Sequence, residues 1–291
     1  MRKNIETFIA CDAGYDDAGI VIFGAPFDST VSYRPGARFG SAAIRHESYG
    51  LETYSPYQDR DLEDIDVFDS GDLELPMGSA EMALDAISER TAEILSDGKL
   101  PLMLGGEHLV TLGAFRAVQK KYPDLHIIHF DAHTDLRDNY LGVKLSHACV
   151  IRRCHDIVGD GRIHQFGIRS GDRTEWMFAR DGHTDLHPFN LDDVNKVIGS
   201  LNKGTPVYLT VDLDVLDPSV FPGTGTPEAD GVTFKELLGA MLLVCGKMKV
   251  VGCDVNELAP MLDASGTSTA VACKFVRELL LALDNRIFTN C

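Results

Sequence analysis

An apolar run that ends in ligand-type side chains constrains this chain more than any other feature. Residues 125–130 (LHIIHF) lead directly into Asp131, His133 and Asp135, which place two carboxylates and an imidazole at i, i+2 and i+4. A short run of this kind reads as a buried strand, and in parallel α/β sheets functional groups gather where strands end. The pattern recurs. Residues 101–104 run into Gly105-Gly106-Glu107-His108, and residues 206–211 run into Asp212-Leu213-Asp214. Strand-like runs are also expected at 20–23, 64–68, 162–168 and 249–253. Helical periodicity marks 79–97, with Ser79 as N-cap and Gly98 just past the end, and also 109–121, 234–244 and 269–283. About seven strands alternating with helices imply a doubly wound, mostly parallel sheet with helices on both faces, in an α/β chain of one domain over residues 1–291. Residues 24–40 form a long connector rich in Pro, Gly and polar residues, the kind of loop that often carries function. Residues 181–190 show no assignable pattern.

Composition narrows the partners. A net charge of −17 and a pI near 4.9 argue against nucleic acid, which needs clustered Lys and Arg, and are compatible with a cationic substrate. Residues 1–10 carry charge and no apolar stretch, so no signal peptide is expected, and no apolar run approaches the ~18–20 residues that span a membrane. Seven scattered Cys without a CxxC pair read as buried small hydrophobes or free thiols of a cytoplasmic protein.

The three ligand segments together offer four Asp and two His. Any one of these residues alone could be a helix cap or a satisfied core histidine. Four carboxylates in one pocket would repel each other, and two divalent cations relieve that repulsion. Carboxylate-rich sites with one His per ion suit hard or borderline ions such as Mn²⁺ better than zinc. His129, inside a strand, reads as a core residue, and His126 has no assigned role.

The segments GGEHLVT (105–111), FDAHTDLRDNY (130–140) and LTVDLDVLDPSVFPGTGTPEADG (209–231) resemble the three signature motifs of the ureohydrolase family, which includes arginase and agmatinase. The resemblance extends through FGAPFDSTVSYRPGARFGSAAIR (23–45) and GCDVNELAP (252–260) and covers about residues 20–285. It implies a three-layer α/β/α sandwich and two Mn²⁺ per chain. His108, Asp131, Asp135 and Asp212 would hold one ion. Asp131, His133, Asp212 and Asp214 would hold the other. It further implies attack on a guanidinium by a metal-bridging hydroxide, Asp135 as proton donor to the leaving amine, Glu257 as the group orienting the guanidinium, and His147 in LSHA as proton shuttle. Trimers or hexamers are common in the family.

The far end of the substrate is read from the loop after Asp135. Arginases carry a short polar run there that grips the α-amino acid end, and Leu136-Arg137-Asp138-Asn139-Tyr140 does not resemble it. Agmatine, which lacks the α-carboxylate and yields putrescine and urea, is the expected substrate. Arg137 would favour a carboxylate if it turned inward, which keeps guanidinobutyrate as a rival beside arginine and formiminoglutamate. Two readings from other classes are a dinuclear phosphoesterase, for which the ligand motifs lack basic residues apart from the neighbouring Arg137, and a non-catalytic regulator, which a lost ligand would support.

Overall fold

The structure is a computed structural model that describes residues 6–284. The expectation drawn from residues 1–10 falls partly outside that range, as does Cys291. In chain order the elements are β1 (Ile20–Gly24), α1 (Gly40–Ser48), a two-stranded ribbon of β2 (Tyr54–Ser55) and β3 (Arg60–Asp61), β4 (Val67–Asp72), α2 (Ala80–Ser96) and β5 (Leu100–Leu104). There follow α3 (Thr111–Lys121), β6 (His126–Phe130), α4 (Val150–Val158), β7 (Ile163–Ile168), α5 (Arg173–Arg180), β8 (Asp185–Pro188) and α6 (Val194–Ser200). The last four are β9 (Pro206–Asp212), α7 (Phe234–Lys247), β10 (Lys249–Asn256) and α8 (Thr267–Leu283).

Eight strands form one sheet in the order β4-β1-β5-β10-β9-β6-β7-β8, and every pairing in it is parallel. Alternate residues of each strand feed opposite faces. On β9, Val207, Leu209 and Val211 join one apolar cluster with α1, α6, α7 and α8, while Tyr208 joins another with α2, α3 and α4. The sheet is therefore buried on both faces, the expected three-layer α/β/α sandwich. Burying each such branched side chain contributes ~1.5–3 kcal/mol.

The sheet order positions the site. Strands β5, β10, β9 and β6 lie side by side at the centre although they are far apart in the chain. His108 follows β5, Asp131 follows β6, Asp212 closes β9, and Glu257 follows β10. Four carboxyl ends thus meet at one edge of the sheet.

Helices α4, α5 and α6 were not expected from the sequence, and three other departures have a clear local cause. The strand expected at 64–68 runs from Val67 to Asp72, because Glu63 and Asp64 belong to a 3₁₀ turn capped by the Asp61 carboxylate, which accepts from Glu63 N. The connector expected to end at Gly40 runs into helix α1, whose first residues, Gly and Ser, hide its start. Residues 181–190 contain β8, a four-residue edge strand without an apolar run, defined by its pairing with β7. The cap expected at Ser79 is present, its hydroxyl accepting from Met82 N. No helix among the described residues is long and apolar enough to cross a membrane, and the six described Cys are all free and buried.

Candidate active site

All six ligand-type residues named from the sequence converge. His108 Nδ1 lies 3.0 Å from Asp131 Oδ2, 3.1 Å from Asp135 Oδ2 and 3.5 Å from Asp212 Oδ2. His133 Nδ1 lies 3.1 Å from Asp214 Oδ2 and 3.4 Å from Asp131 Oδ1. Asp131 therefore faces both imidazoles, one with each oxygen. Five of the six are buried, and His133 is 23% exposed in its side chain.

Three of the aspartates have one oxygen tied to a backbone amide, which fixes the rotation of each carboxylate. Asp131 Oδ1 accepts from His133 N, Asp212 Oδ1 from Asp214 N and Asp214 Oδ1 from Ala132 N. The loop carrying Asp135, which sits at φ +52°, is clamped by Glu175. Glu175 Oε1 accepts from Thr134 Oγ1 (2.6 Å) and Leu136 N (3.0 Å), while its Oε2 closes a capping box at the start of α5 with Asp172. The pattern Asp-x-x-Glu in 172–175 was a readable cap signal, but its hold on the Asp135 loop was not.

The donor set fits divalent cations on an observation of its own. Thr210 Oγ1 gives its proton to Asp254 Oδ1 (2.6 Å), so it accepts from His108 Nε2–H (2.8 Å). That fixes the imidazole proton on Nε2 and leaves Nδ1 buried without a hydrogen bond, facing three carboxylate oxygens. Set amid anionic oxygens, Nδ1 calls for positive charge there, a proton in the metal-free protein or a divalent cation that displaces it. The titration pattern agrees. Burial, reinforced by Asp131, pushes Asp135 up to about 7. Burial and then Asp214 and Asp131 push Asp212 well up. Burial would depress His108, but Asp131 and Asp135 outweigh it and raise it. In the metal-free protein, protons on Asp135, Asp212 and His108 offset the crowded carboxylates, and these are the protons that divalent cations would displace, since no Lys or Arg among the six residues supplies a permanent cation.

Glu257 lies behind this cluster. It is buried at φ +67°, and its Oε1 accepts from His108 N at 2.8 Å. Burial and the neighbouring Glu107 raise its pKa. His147 stands at the mouth. Its Nε2 is 3.1 Å from Ser32 Oγ, and its backbone N donates to Thr30 Oγ1 at 3.0 Å. Thr30 in turn is held by Glu107 through both its N–H and its hydroxyl. The long connector thus seats His147, a role the sequence reading could not assign. Burial first, then the charges of His133 and His108, push His147 down to about 4. A cavity of about 350 Å³ opens above the cluster, lined among others by His133, Asp135, Arg137, Tyr140, His147 and Asp172.

Arg137 lines that mouth but is engaged. Its Nη1 is 3.1 Å from Asp172 Oδ2, its Nε 3.5 Å from Glu175 Oε2, and its guanidinium lies 4.7 Å from the centre of the Tyr140 ring. His129 is buried as expected, yet it is more than filler, since Nε2 is 2.8 Å from Asp131 Oδ2. His126 stacks on His164 at 5.5 Å, at the opposite end of the strands.

A buried set of Asp and His donors at the carboxyl ends of a parallel α/β sheet defines the class. The arginase family model matches residues 18–282, and the chain belongs to that family. It is a hydrolase acting on amidino C–N bonds. The chain is similar to the agmatinase of Bacillus anthracis, with 49% identity over 95% of this chain and 96% of that one. It is similar also to the agmatinase of Bacillus subtilis, with 46% identity over 95% and 96%. Among solved structures, the agmatine ureohydrolase of Thermoplasma volcanium superposes with a TM-score of 0.89 at 32% identity, covering 99% of this chain and 97% of that chain.

Proposed function

We propose that the protein hydrolyses agmatine to putrescine and urea, with two Mn²⁺ per chain. His108, Asp131, Asp135 and Asp212 would hold one ion, and Asp131, His133, Asp212 and Asp214 would hold the other. When bound, such ions supply Lewis acidity and bring the pKa of a coordinated water from 15.7 to roughly 7, which a resonance-stabilised guanidinium requires of its nucleophile. Glu257, with Oε1 held by His108 N, turns Oε2 to the guanidinium as a charge-assisted acceptor. Asp135 passes a proton to the leaving amine, and His147 Nε2 exchanges protons with solvent.

The observation that carries agmatine over its rivals is the state of Arg137. Among the described residues lining the cavity it is the one Lys or Arg, and it is already ion-paired with Asp172 at 3.1 Å and Glu175 at 3.5 Å. The far end of the cavity therefore offers carboxylate excess and no free cation, which suits an ammonium and penalises a carboxylate. An unmet charge costs several kcal/mol. A preference for agmatine over arginine of at least about a hundredfold in kcat/KM follows, on the order of 3 kcal/mol. Urea release from agmatine, arginine and guanidinobutyrate at equal concentration with added Mn²⁺ tests it. A faster rate on either acid would overturn the substrate while leaving the hydrolytic site intact. The free buried cysteines fit a reducing, cytoplasmic setting. The chain is read as a homo-oligomer, a trimer or hexamer, for which exposed Met77 and Leu141 offer apolar surface.

A further inference from the structure

His129 belongs to none of the roles above, yet its hydrogen bonds can be solved completely. Gln165 Nε2 is 2.8 Å from Thr134 O and 3.1 Å from His129 Nδ1, and Gln165 Oε1 accepts from Thr184 Oγ1 at 3.0 Å. A carbonyl oxygen only accepts, so the Gln165 amide nitrogen must face Thr134. That nitrogen only donates, so His129 Nδ1 must be the acceptor. The remaining ring proton then sits on Nε2 and is donated to Asp131 Oδ2 at 2.8 Å. His129, Gln165 and Asp131 are all 0% exposed, so water cannot substitute for any link. The oxygen that receives this proton is the one turned toward His108 Nδ1, at 3.0 Å. The other oxygen of Asp131 is held by His133 N.

We propose that His129 is a positioning residue of the metal centre. Its Nε2–H, oriented by the Thr184–Gln165 chain, locks the rotation of the shared Asp131 carboxylate and sets the affinity of the ion on the His108 side. The inference rests on the two-Mn²⁺ reading of the site. Without the Nε2–H, Oδ2 would be free to turn away from His108, while Oδ1 would keep its backbone donor. The ion on the His108 side should therefore weaken more than the ion on the His133 side. Partners that orient ligands in this way are typically worth ~10–100-fold in metal affinity.

The test compares His129→Leu, His129→Gln and Gln165→Met with the wild type. Each protein is stripped with chelator, checked for fold by circular dichroism and titrated with Mn²⁺ while free Mn²⁺ is followed by electron paramagnetic resonance. The wild type should bind two ions. His129→Leu should hold one ion near wild-type affinity and the other about 10–100-fold more weakly. His129→Gln, whose amide can still donate to Asp131, should recover most of that loss. Gln165→Met, which removes the donor that orients the ring, should fall between them and decides the matter if His129→Leu does not fold. Two ions held by His129→Leu or Gln165→Met as tightly as by the wild type would overturn the assignment, as would equal impairment of the Leu and Gln variants. A wild type that takes up no Mn²⁺ would instead sink the functional reading and this inference with it.

Discussion

Two charged clusters in this protein, each built around buried carboxylates, differ in what balances them. At the β4 edge of the sheet, Arg45 lies between Asp69 and Asp72, with Nε 2.8 Å from Asp69 Oδ2 and a close contact from Nη1 to Asp72. Asp69 also accepts from Phe8 N and Gly71 N. That cluster contains its own cation, and Asp69 commits its oxygens to the guanidinium and to backbone amides. At the carboxyl ends of β5, β6, β9 and β10, four aspartates and two histidines meet with no Lys or Arg among them. The first cluster is architecture. The second is a place prepared for cations that come from outside.

The widest gap between the two should appear on removing a shared carboxylate. Asp131→Asn is expected to lower kcat by roughly 10³-fold or more, about 4 kcal/mol, and to abolish tight binding of at least one ion. Metal analysis after dialysis and initial rates with agmatine check it, and full metal content with full activity would erase the distinction drawn here. Arg45→Met should do the reverse. Leaving Asp69 buried without its cation should cost about 3–5 kcal/mol of stability, read from urea unfolding, while the folded fraction still binds two ions. His147→Ala, at the rim of the open cluster, should cut turnover by ~10²–10⁴-fold with metal content unchanged, and added imidazole should restore part of the rate.

The smallest expected effect is on pH dependence. The Asp135 carboxyl titrates at about 7 against an ordinary value of 3.8, and Asp212 is shifted the same way. Between these limits the folded protein holds protons that the unfolded chain has released. The metal-free protein should therefore lose stability as pH rises from about 4 to about 7. Saturating Mn²⁺ should flatten or reverse that slope, since the ions replace the protons. Thermal melts across that range with and without Mn²⁺ decide it, and identical slopes would show that the open cluster needs no outside cation.

The legibility of these regions follows from how local their causes are. Asp131, His133 and Asp135 share one turn after a strand, so their convergence could be read from five residues. Asp212 and Asp214 were readable for the same reason. The Arg45–Asp69–Asp72 cluster was not, because its partners lie 24 and 27 residues apart, and each residue alone looks like a surface charge. Arg137 shows the same limit. Its loop could be seen to lack an arginase-like polar run, but whether it faced the substrate depended on Asp172 and Glu175, 35 and 38 residues on. His129 read correctly as buried, and only the pairing of β6 with β7, which sets it beside Gln165, reveals what its proton does.

Strand periodicity and ligand spacing are properties of a few consecutive residues. They determine that the chain makes a parallel α/β sheet with aspartates and histidines at its strand ends. The order of strands is a different kind of fact. β10 is the last strand among the described residues and sits at the centre of the sheet, between β5 and β9, and no local pattern encodes that insertion. Yet it is this placement that sets Glu257 behind His108 and Asp254 behind Thr210. One imidazole proton of His108 is thereby pinned on Nε2, and Nδ1 is the nitrogen turned to the carboxylates. The ligands were written along the chain, but their protonation and aim came from neighbours that only the packed sheet brings within reach.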